Sequence, residues 1–429
     1  MSQEKSPLTG GADYRPLDET SLPAYLGKIS KVATLLGGAP GAWTVSEVGD
    51  GNLNLVFIVR GPAAAVIVKQ ALPYVRLVGD SWPLPLDRSY FESQTLIAEG
   101  KVAPGLVPEV YHFDAAMALV VMEYLTPHLI MRKGLIQGVQ YPKFAAALAE
   151  FLAQTLFKTS DLFLSAAEKK HRMALFCANT ELCKITEDLV FTDPYRVAKL
   201  NRWTAPQLDD MAAEFRQDAE LKIAAQQMKL KFMGHAEALV HGDLHSGSIM
   251  VTAADVRVID PEFAFYGPMG FDIGALLGNL ALAYLSQDGH ETPDSPRGDY
   301  RAWISRQIAE VWTQFEKRFI ELWNTEGKGD AYTAELFADP AGRAALANEQ
   351  KAYLRRLFED TLGFAGCKMI RRILGLAHVE DFESIKDPDV RAKGERRALR
   401  LGRAFVVNRA RFADIGSVCA AVEAAAKQD

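Results

Sequence analysis

The sequence predicts an α+β protein with two lobes, a small β-rich lobe over residues 1–125 and a larger, mostly helical one over residues 126–429. Three observations predict it. Short β-branched apolar runs cluster in the first 125 residues, long helical periodicity dominates from Tyr141 onward, and between Val240 and Gly274 brief apolar runs alternate with isolated acids and glycines. A chain of 429 residues with 49% hydrophobic content has ample material for two or more cores.

Charge narrows the partners. With 48 Lys and Arg against 54 Asp and Glu, the formal charge of −6 provides no basic footprint for nucleic acid. The N-terminal MSQEKSPLTGGADYRP lacks the apolar core of a signal peptide, and no apolar stretch approaches membrane-spanning length, so a cytoplasmic location with no membrane partner is expected. Cys177, Cys183, Cys367 and Cys419 show no Cys-x-x-Cys spacing and are expected to be reduced.

In chain order, Leu22, Leu26, Ile29, Val32, Ala33 and Leu36 recur at helical spacing before the Gly37-Gly38 stop. Trp43 to Val48 and Leu53 to Arg60 read as strands flanking Gly49-Asp50-Gly51-Asn52, a hairpin turn whose glycines also let backbone amides approach an anion. Ala65 to Lys69 is an apolar strand ending on one cation, either a snorkelling lysine or a placed one. Tyr74 to Leu86 carries Gly, Asp and prolines that break regular structure and leave Trp82 on a loop, and Leu86 to Gly100 has helical spacing and offers Glu92 either as an ion-pair partner for Lys69 or as a solvated helix charge. Ala118 to Met122 is a further strand, and the lobe boundary is placed just after it, near Leu125. Helices are then expected over Pro142 to Thr159, Ser165 to Ala178, Gln207 to Met233, Phe271 to Leu285, Tyr300 to Asn324 and Ala344 to Ala377, with Ser286 to Asp299 as an exposed loop.

The chemistry-bearing stretch is VHGDLHSGSIMVTAADVRVIDPEFAFYGPMGFDIG. Short strands over 238–240, 249–251 and 256–259 bracket Asp243 and Asp260, and the 17-position separation of these acids suffices for a loop, a hairpin and a return. Two carboxylates so spaced can face one site, or each can sit in a solvated turn. His241 and His245 raise zinc, but Gly242 and Gly247 oppose one continuous helix, and no Glu is placed as in His-Glu-x-x-His. Asp272 opens an apolar helix as a cap or an N-terminal charge. Downstream, Arg371 and Arg372 lie adjacent inside an apolar helical pattern; neighbours on a helix point about a third of a turn apart, so at least one must face inward or line a cleft.

His241-Gly242-Asp243, four residues, Ser248, a strand and then Asp260 resembles the kinase order of catalytic loop followed by metal-binding acid. Gly242 and Ser248 replace the protein-kinase Arg and Asn, and Asp260-Pro261-Glu262 replaces Asp-Phe-Gly. The resemblance is therefore to small-molecule kinases of the aminoglycoside phosphotransferase-like superfamily. HGDLHSGSIMV with DPEFAFYGPMGFDIG resembles, within it, the methylthioribose kinase family.

The resemblance implies a two-lobed protein-kinase-like fold, ATP and Mg²⁺ as cofactors, a small-molecule sugar substrate and a homodimer. The implied reaction moves the ATP γ-phosphate to the 1-hydroxyl of 5-methylthioribose, giving 5-methylthioribose 1-phosphate in methionine salvage. It implies a phosphate lid over Gly49, Gly51, Asn52 and Asn54, with Lys69 on the α- and β-phosphates and Glu92 pairing it. Backbone at Glu123 and Tyr124 would hold adenine. Asp243 would be the base, Asp260 and Glu262 the metal ligands, with Ser248 a weaker candidate. His241 and Asp272 would brace the catalytic loop, Trp82 would lie on a lid over the substrate, and Arg371 and Arg372 would bind substrate or the transferring phosphoryl group. The alternatives are a related kinase for an aminoglycoside, choline or homoserine, and an inactive nucleotide-binding scaffold; Lys69, Asp243, Asp260 and Glu262 together oppose the latter.

Overall fold

An antiparallel sheet of five strands, in the order β1-β2-β3-β7-β6, forms the frame of the first of two compact units. The computed structural model describes residues 8–11, 13–49, 53–75 and 79–428, with backbone alone at 75 and 79–82. The first unit comprises residues 1–127, 179–182 and 258–264, and the second the remainder.

In the first unit, helices α1 (Leu22–Leu26) and α2 (Ser30–Leu36) precede β1 (Thr44–Glu47), β2 (Asn54–Arg60) and β3 (Ala65–Ala71). The single opening helix expected from periodicity is thus two, separated around Gly27. The segment expected to be irregular forms a small hairpin, β4 (Tyr74–Val75) with β5 (Gly79–Pro83). Its turn residues punctuate strands too short to register as a period. Helix α3 (Arg88–Val102) and strands β6 (Val110–Asp114) and β7 (Leu119–Glu123) complete the set. Alternation along β2 and β3 turns Phe57, Val59, Val66 and Val68 into a core with Leu22, Leu26, Val32, Leu36, Trp43, Leu119 and Val121.

The second unit contains β8 (Leu129–Ile130), α4 (Met131–Gln137), α5 (Phe144–Lys158) and α6 (Ala166–Phe176), and receives α7 (Thr180–Phe191) from the first. There follow α8 (Asp209–Gln217), α9 (Ala219–Gly234), β9 (Ala238–Val240), β10 (Ile249–Val251), β11 (Val256–Val258) and β12 (Phe265–Gly267). The chain ends in α10 (Met269–Leu285), α11 (Gly298–Glu326), α12 (Pro340–Leu374), α13 (Glu380–Glu383), α14 (Pro388–Val407) and α15 (Ile415–Ala425). One helix was expected over 207–233. It breaks at Asp218, whose extended backbone ends α8 and whose carboxylate accepts the Leu221 N–H at 2.9 Å to start α9. Among the described residues no helix is long and apolar enough to cross a membrane.

Every residue of α10 is buried. Phe191, Phe232, Phe265, Phe271 and Phe364 pack around its first turns with ring centroids 4.6–6.5 Å apart. Against α12 the two backbones approach closely: a Cβ on Gly274 would stand 2.4 Å from the Thr361 carbonyl oxygen and 2.8 Å from the Ala365 nitrogen, and one on Gly278 would stand 2.9 Å from the Ala365 oxygen. Backbone cannot yield as a side-chain tip can. Gly274→Leu is therefore expected to destabilise the protein by about 3 kcal/mol, read as a lower midpoint in urea unfolding; an unchanged midpoint would show that the helices can part without loss.

Candidate active site

The described chemistry falls into two groups, one in each unit. In the first, Lys69 lies on the central strand β3, paired across to Val56 on β2 and Val120 on β7. The apolar neighbours of this strand leave Lys69 only 9% exposed. Its Nζ donates to Glu92 Oε1 on α3 at 2.9 Å and to Asp260 Oδ1. Burial pulls the ammonium down, but Asp260, Glu92 and Glu262 outweigh it and hold Lys69 protonated well above its ordinary value. Burial pushes the Glu92 and Glu262 carboxyls up, with Lys69 pulling both back.

Glu262 is braced by Arg88 and Asn179, which sequence reading did not assign, and by Asn54, which it placed in the phosphate lid. Arg88 is completely buried; its guanidinium lies 3.5 Å from Glu262 Oε2, and it donates to the Asn54 side-chain oxygen at 3.2 Å and the Leu53 carbonyl at 2.7 Å. Asn54 in turn donates to Glu262 Oε2 at 3.0 Å, so its side chain is spent on an acid. Asn179 donates to the Glu262 and Ala264 carbonyls at 3.0 and 2.9 Å, fixing the loop backbone. Arg88 stands four residues before Glu92, one helical turn away on the same face, a spacing that could have flagged it.

Glu92, Asp260 and Glu262 each offer a carboxylate oxygen, and these atoms lie within 4.8 Å of one another. Hard oxygen donors of this kind suit Mg²⁺. Of the three, Asp260 has the open side chain, 47% exposed against 3% for Glu92 and 5% for Glu262, and its backbone takes the left-handed φ of 72°. That conformation is uncommon for a residue with a Cβ and sets the Asp260 carboxylate apart from the strand before it.

Other residues singled out in this unit make fewer described interactions. Gly49 meets nothing within 4 Å of where its Cβ would stand. Gly51 and Asn52 lie outside the described residues, as does the Trp82 side chain, whose backbone runs in β5. Glu123 ends β7, and its carboxylate accepts the Glu109 N–H at 3.2 Å. Tyr124 follows, with the Arg60 guanidinium 5.4 Å from its ring centroid.

In the second unit the loop 241–248 joins β9 to β10. The Asp272 carboxylate, in the first turn of α10, accepts the His241 N–H at 2.6 Å and the Gly242 N–H at 3.0 Å. Gly242 has φ 83°, a conformation that glycine adopts without penalty. Ser248 closes the loop: its Oγ accepts the His245 N–H at 2.9 Å and lies 3.0 Å from the Asp243 carbonyl oxygen. The hydroxyl is thus engaged within the loop.

Asp243 itself faces cations. Lys368 Nζ on α12 donates to its Oδ1 at 2.8 Å, Arg372 lies 3.9 Å from the same oxygen, and His245 Nε2 lies 3.2 Å from Oδ2. Burial pushes the Asp243 carboxyl up, yet Lys368, His245 and Arg372 outweigh burial and hold it well below the usual carboxylate range. Arg371 and Arg372 both donate to the Ala377 carbonyl, at 3.1 and 3.2 Å. The Nε of each is buried without a hydrogen-bond partner, leaving one donor on each guanidinium unused. Lys368 went unread although it stands four residues before Arg372, on the same helical face.

A family model described as "Phosphotransferase enzyme family" matches residues 44–314. The chain is 52% identical to "Methylthioribose kinase 1" of Oryza sativa subsp. japonica, over 96% of this chain and 95% of that protein. It is 49% identical to "Methylthioribose kinase" of Escherichia coli O45:K1, over 94% and 96%, and 45% identical to that of Yersinia pseudotuberculosis serotype O:1b, over 88% and 90%. A solved choline/ethanolamine kinase family protein from Mesorhizobium loti shares 15% identity over 91% of this chain and 99% of that one, at a TM-score of 0.42, too low a similarity to bear on activity. With an antiparallel sheet in one unit, a helical remainder and relatives matched along almost their whole length, the chain has a kinase-like α+β fold and belongs to the methylthioribose kinases of the phosphotransferase enzyme family.

Proposed function

We propose that the protein transfers the γ-phosphate of ATP to the 1-hydroxyl of 5-methylthioribose, giving 5-methylthioribose 1-phosphate and ADP, as a step of methionine salvage. The supporting observation is the setting of Asp243: a carboxylate approached by Lys368 and Arg372, with Arg371 beside them. A choline or aminoglycoside acceptor brings its own cation and would require acids at this point. A neutral sugar meets no such conflict, and three cations suit the negative charge of the group being transferred.

In this reading residues 1–125 are the ATP-binding lobe and residues 126–429 carry the catalytic and sugar-binding groups. Lys69, paired with Glu92, steadies the nucleotide phosphates. Gly49, Gly51, Asn52 and Asn54 form their lid, with the Asn54 side chain acting through Glu262, and the backbone at Glu123 and Tyr124 holds adenine. Asp260 and Glu262 hold Mg²⁺, which when bound neutralises phosphate oxygens. Asp243 orients the sugar hydroxyl and takes its proton, Arg371 and Arg372 hold the phosphoryl group, and Trp82 covers the sugar. The enzyme works in the cytoplasm as a homodimer, without nucleic-acid or membrane partners.

Release of ADP, measured in a coupled assay with methylthioribose, choline and kanamycin in turn, tests the substrate. Turnover is expected with methylthioribose alone; its absence there, or its presence with choline, would replace the assignment.

A further inference from the structure

Asp243 is approached on both of its oxygens, and the two partners differ in kind. Lys368 is 3% exposed, its Nζ lying 2.8 Å from Oδ1 and 4.6 Å from the centroid of the Phe271 ring. A cation set between a carboxylate and an aromatic face has little freedom. On the other oxygen, His245 is a neutral donor. The Gly247 N–H donates to its Nδ1 at 3.0 Å, so that nitrogen carries no proton, and the remaining ring proton sits on Nε2, 3.2 Å from Asp243 Oδ2. Burial pulls the imidazole down to about 3, in keeping with a neutral ring. A side chain at position 247 would push on this ring, since a Cβ there would lie 2.8 Å from His245 Cε1.

The geometry points to Lys368 as the positioning residue that turns and holds the Asp243 carboxylate for the acceptor hydroxyl, with neutral His245 as the second point of a clamp. This rests on the reading of Asp243 as the group that receives that hydroxyl's proton. Lys368 acts through Asp243 and need not touch the sugar. The charged groups facing the clamp are Arg371 and Arg372 on α12 and Asp272 on α10, with Arg132 on α4 facing the neutral His245.

The test is steady-state kinetics of the full chain with ATP and methylthioribose across pH. Lys368→Met is expected to lower kcat roughly 100-fold, the scale of a misplaced acid–base group, with little change in the KM for ATP. Without the ammonium the Asp243 carboxyl rises, so the ionised form is lost at a higher pH and the acid limb of kcat/KM moves upward. Lys368→Arg, which keeps the charge, should recover part of the rate, and His245→Gln, which keeps an N–H donor, should retain more than His245→Ala. In Asp243→Asn the added Lys368→Met should cost nothing further. Multiplying losses in that double variant, or an unmoved pH limb in Lys368→Met, would mean that Lys368 serves the phosphoryl group directly and would overturn the clamp alone. An active Asp243→Asn would remove the reading of Asp243 as base, and the clamp with it.

Discussion

Replacing Asp243 with Asn is expected to cut kcat by about 10³-fold while leaving the affinity for ATP and Mg²⁺ nearly intact. Asn keeps the shape but cannot accept the proton, and the groups proposed for ATP, Lys69 with Glu92, Asp260 and Glu262, do not include it. The variant also leaves Lys368 and Arg372 without the anion that faces them, 2.8 and 3.9 Å away in the parent, so its melting temperature should fall as well. Calorimetric titration with MgATP separates the two effects. A variant that turns over at the parent rate would strip Asp243 of its role. In the parent, Lys368, His245 and Arg372 hold the carboxyl below its usual range despite burial, so this group is ionised through mildly acidic and neutral pH and should impose no loss of activity there.

Lys69→Met should be the most damaging change in the first unit. Its ammonium is the shared partner of Glu92 and Asp260, and two of the three clustered acids, Glu92 and Glu262, have side chains only 3% and 5% exposed. Removing one partner of a buried pair leaves an uncompensated charge and costs about 3–5 kcal/mol. The penalty should depend on pH in a defined direction. Burial already pushes the Glu92 carboxyl up, and without Lys69 its largest counterweight is lost. A folded-state value above the unfolded one favours the fold at low pH and loses that advantage as pH rises through the folded value. The variant should therefore lie closest to the parent in acid and fall furthest behind above neutrality. Urea midpoints at several pH values check this; a pH-independent difference would show that the three acids do not share the ammonium. Turnover should be lost with it, through weakened ATP binding.

Much of the frame was legible because its signals are local. β-branched runs mark β2 and β3, and the apolar periods of 142–159, 271–285, 300–324 and 344–377 come within a few residues of α5, α10, α11 and α12. The breaks were harder to see. Asp218 splits one apolar period by capping, and the hairpin β4-β5 is built from strands too short to show alternation. Helices α14 and α15 lie beyond the last period read, although Asp387-Pro388 and Asp414 begin them with ordinary capping chemistry. Within the candidate site the motif residues announce themselves by spacing, whereas the partners that Arg88 and Lys368 meet are set by tertiary packing. A lysine among Gly366, Cys367, Met369 and Ile370 states only that a buried cation needs an anion; the fold determines that the anion is Asp243.

The glycine contact between α10 and α12 also carries a consequence beyond stability. Asp272, which pins the 241–248 loop through two amides, lies on α10, while Lys368, Arg371 and Arg372 ride on α12. The separation of loop and cations is therefore gauged by how near the two helix axes can come, and Gly274 and Gly278 set that calibre. Adding even one methyl group there acts as a shim. Its first effect would be on rate, by lifting the cations off the carboxylate in a protein that still folds. Alanine at either glycine should thus separate kinetic fitness from structural integrity, a sensitivity located two helical turns or less from the residue that holds the loop.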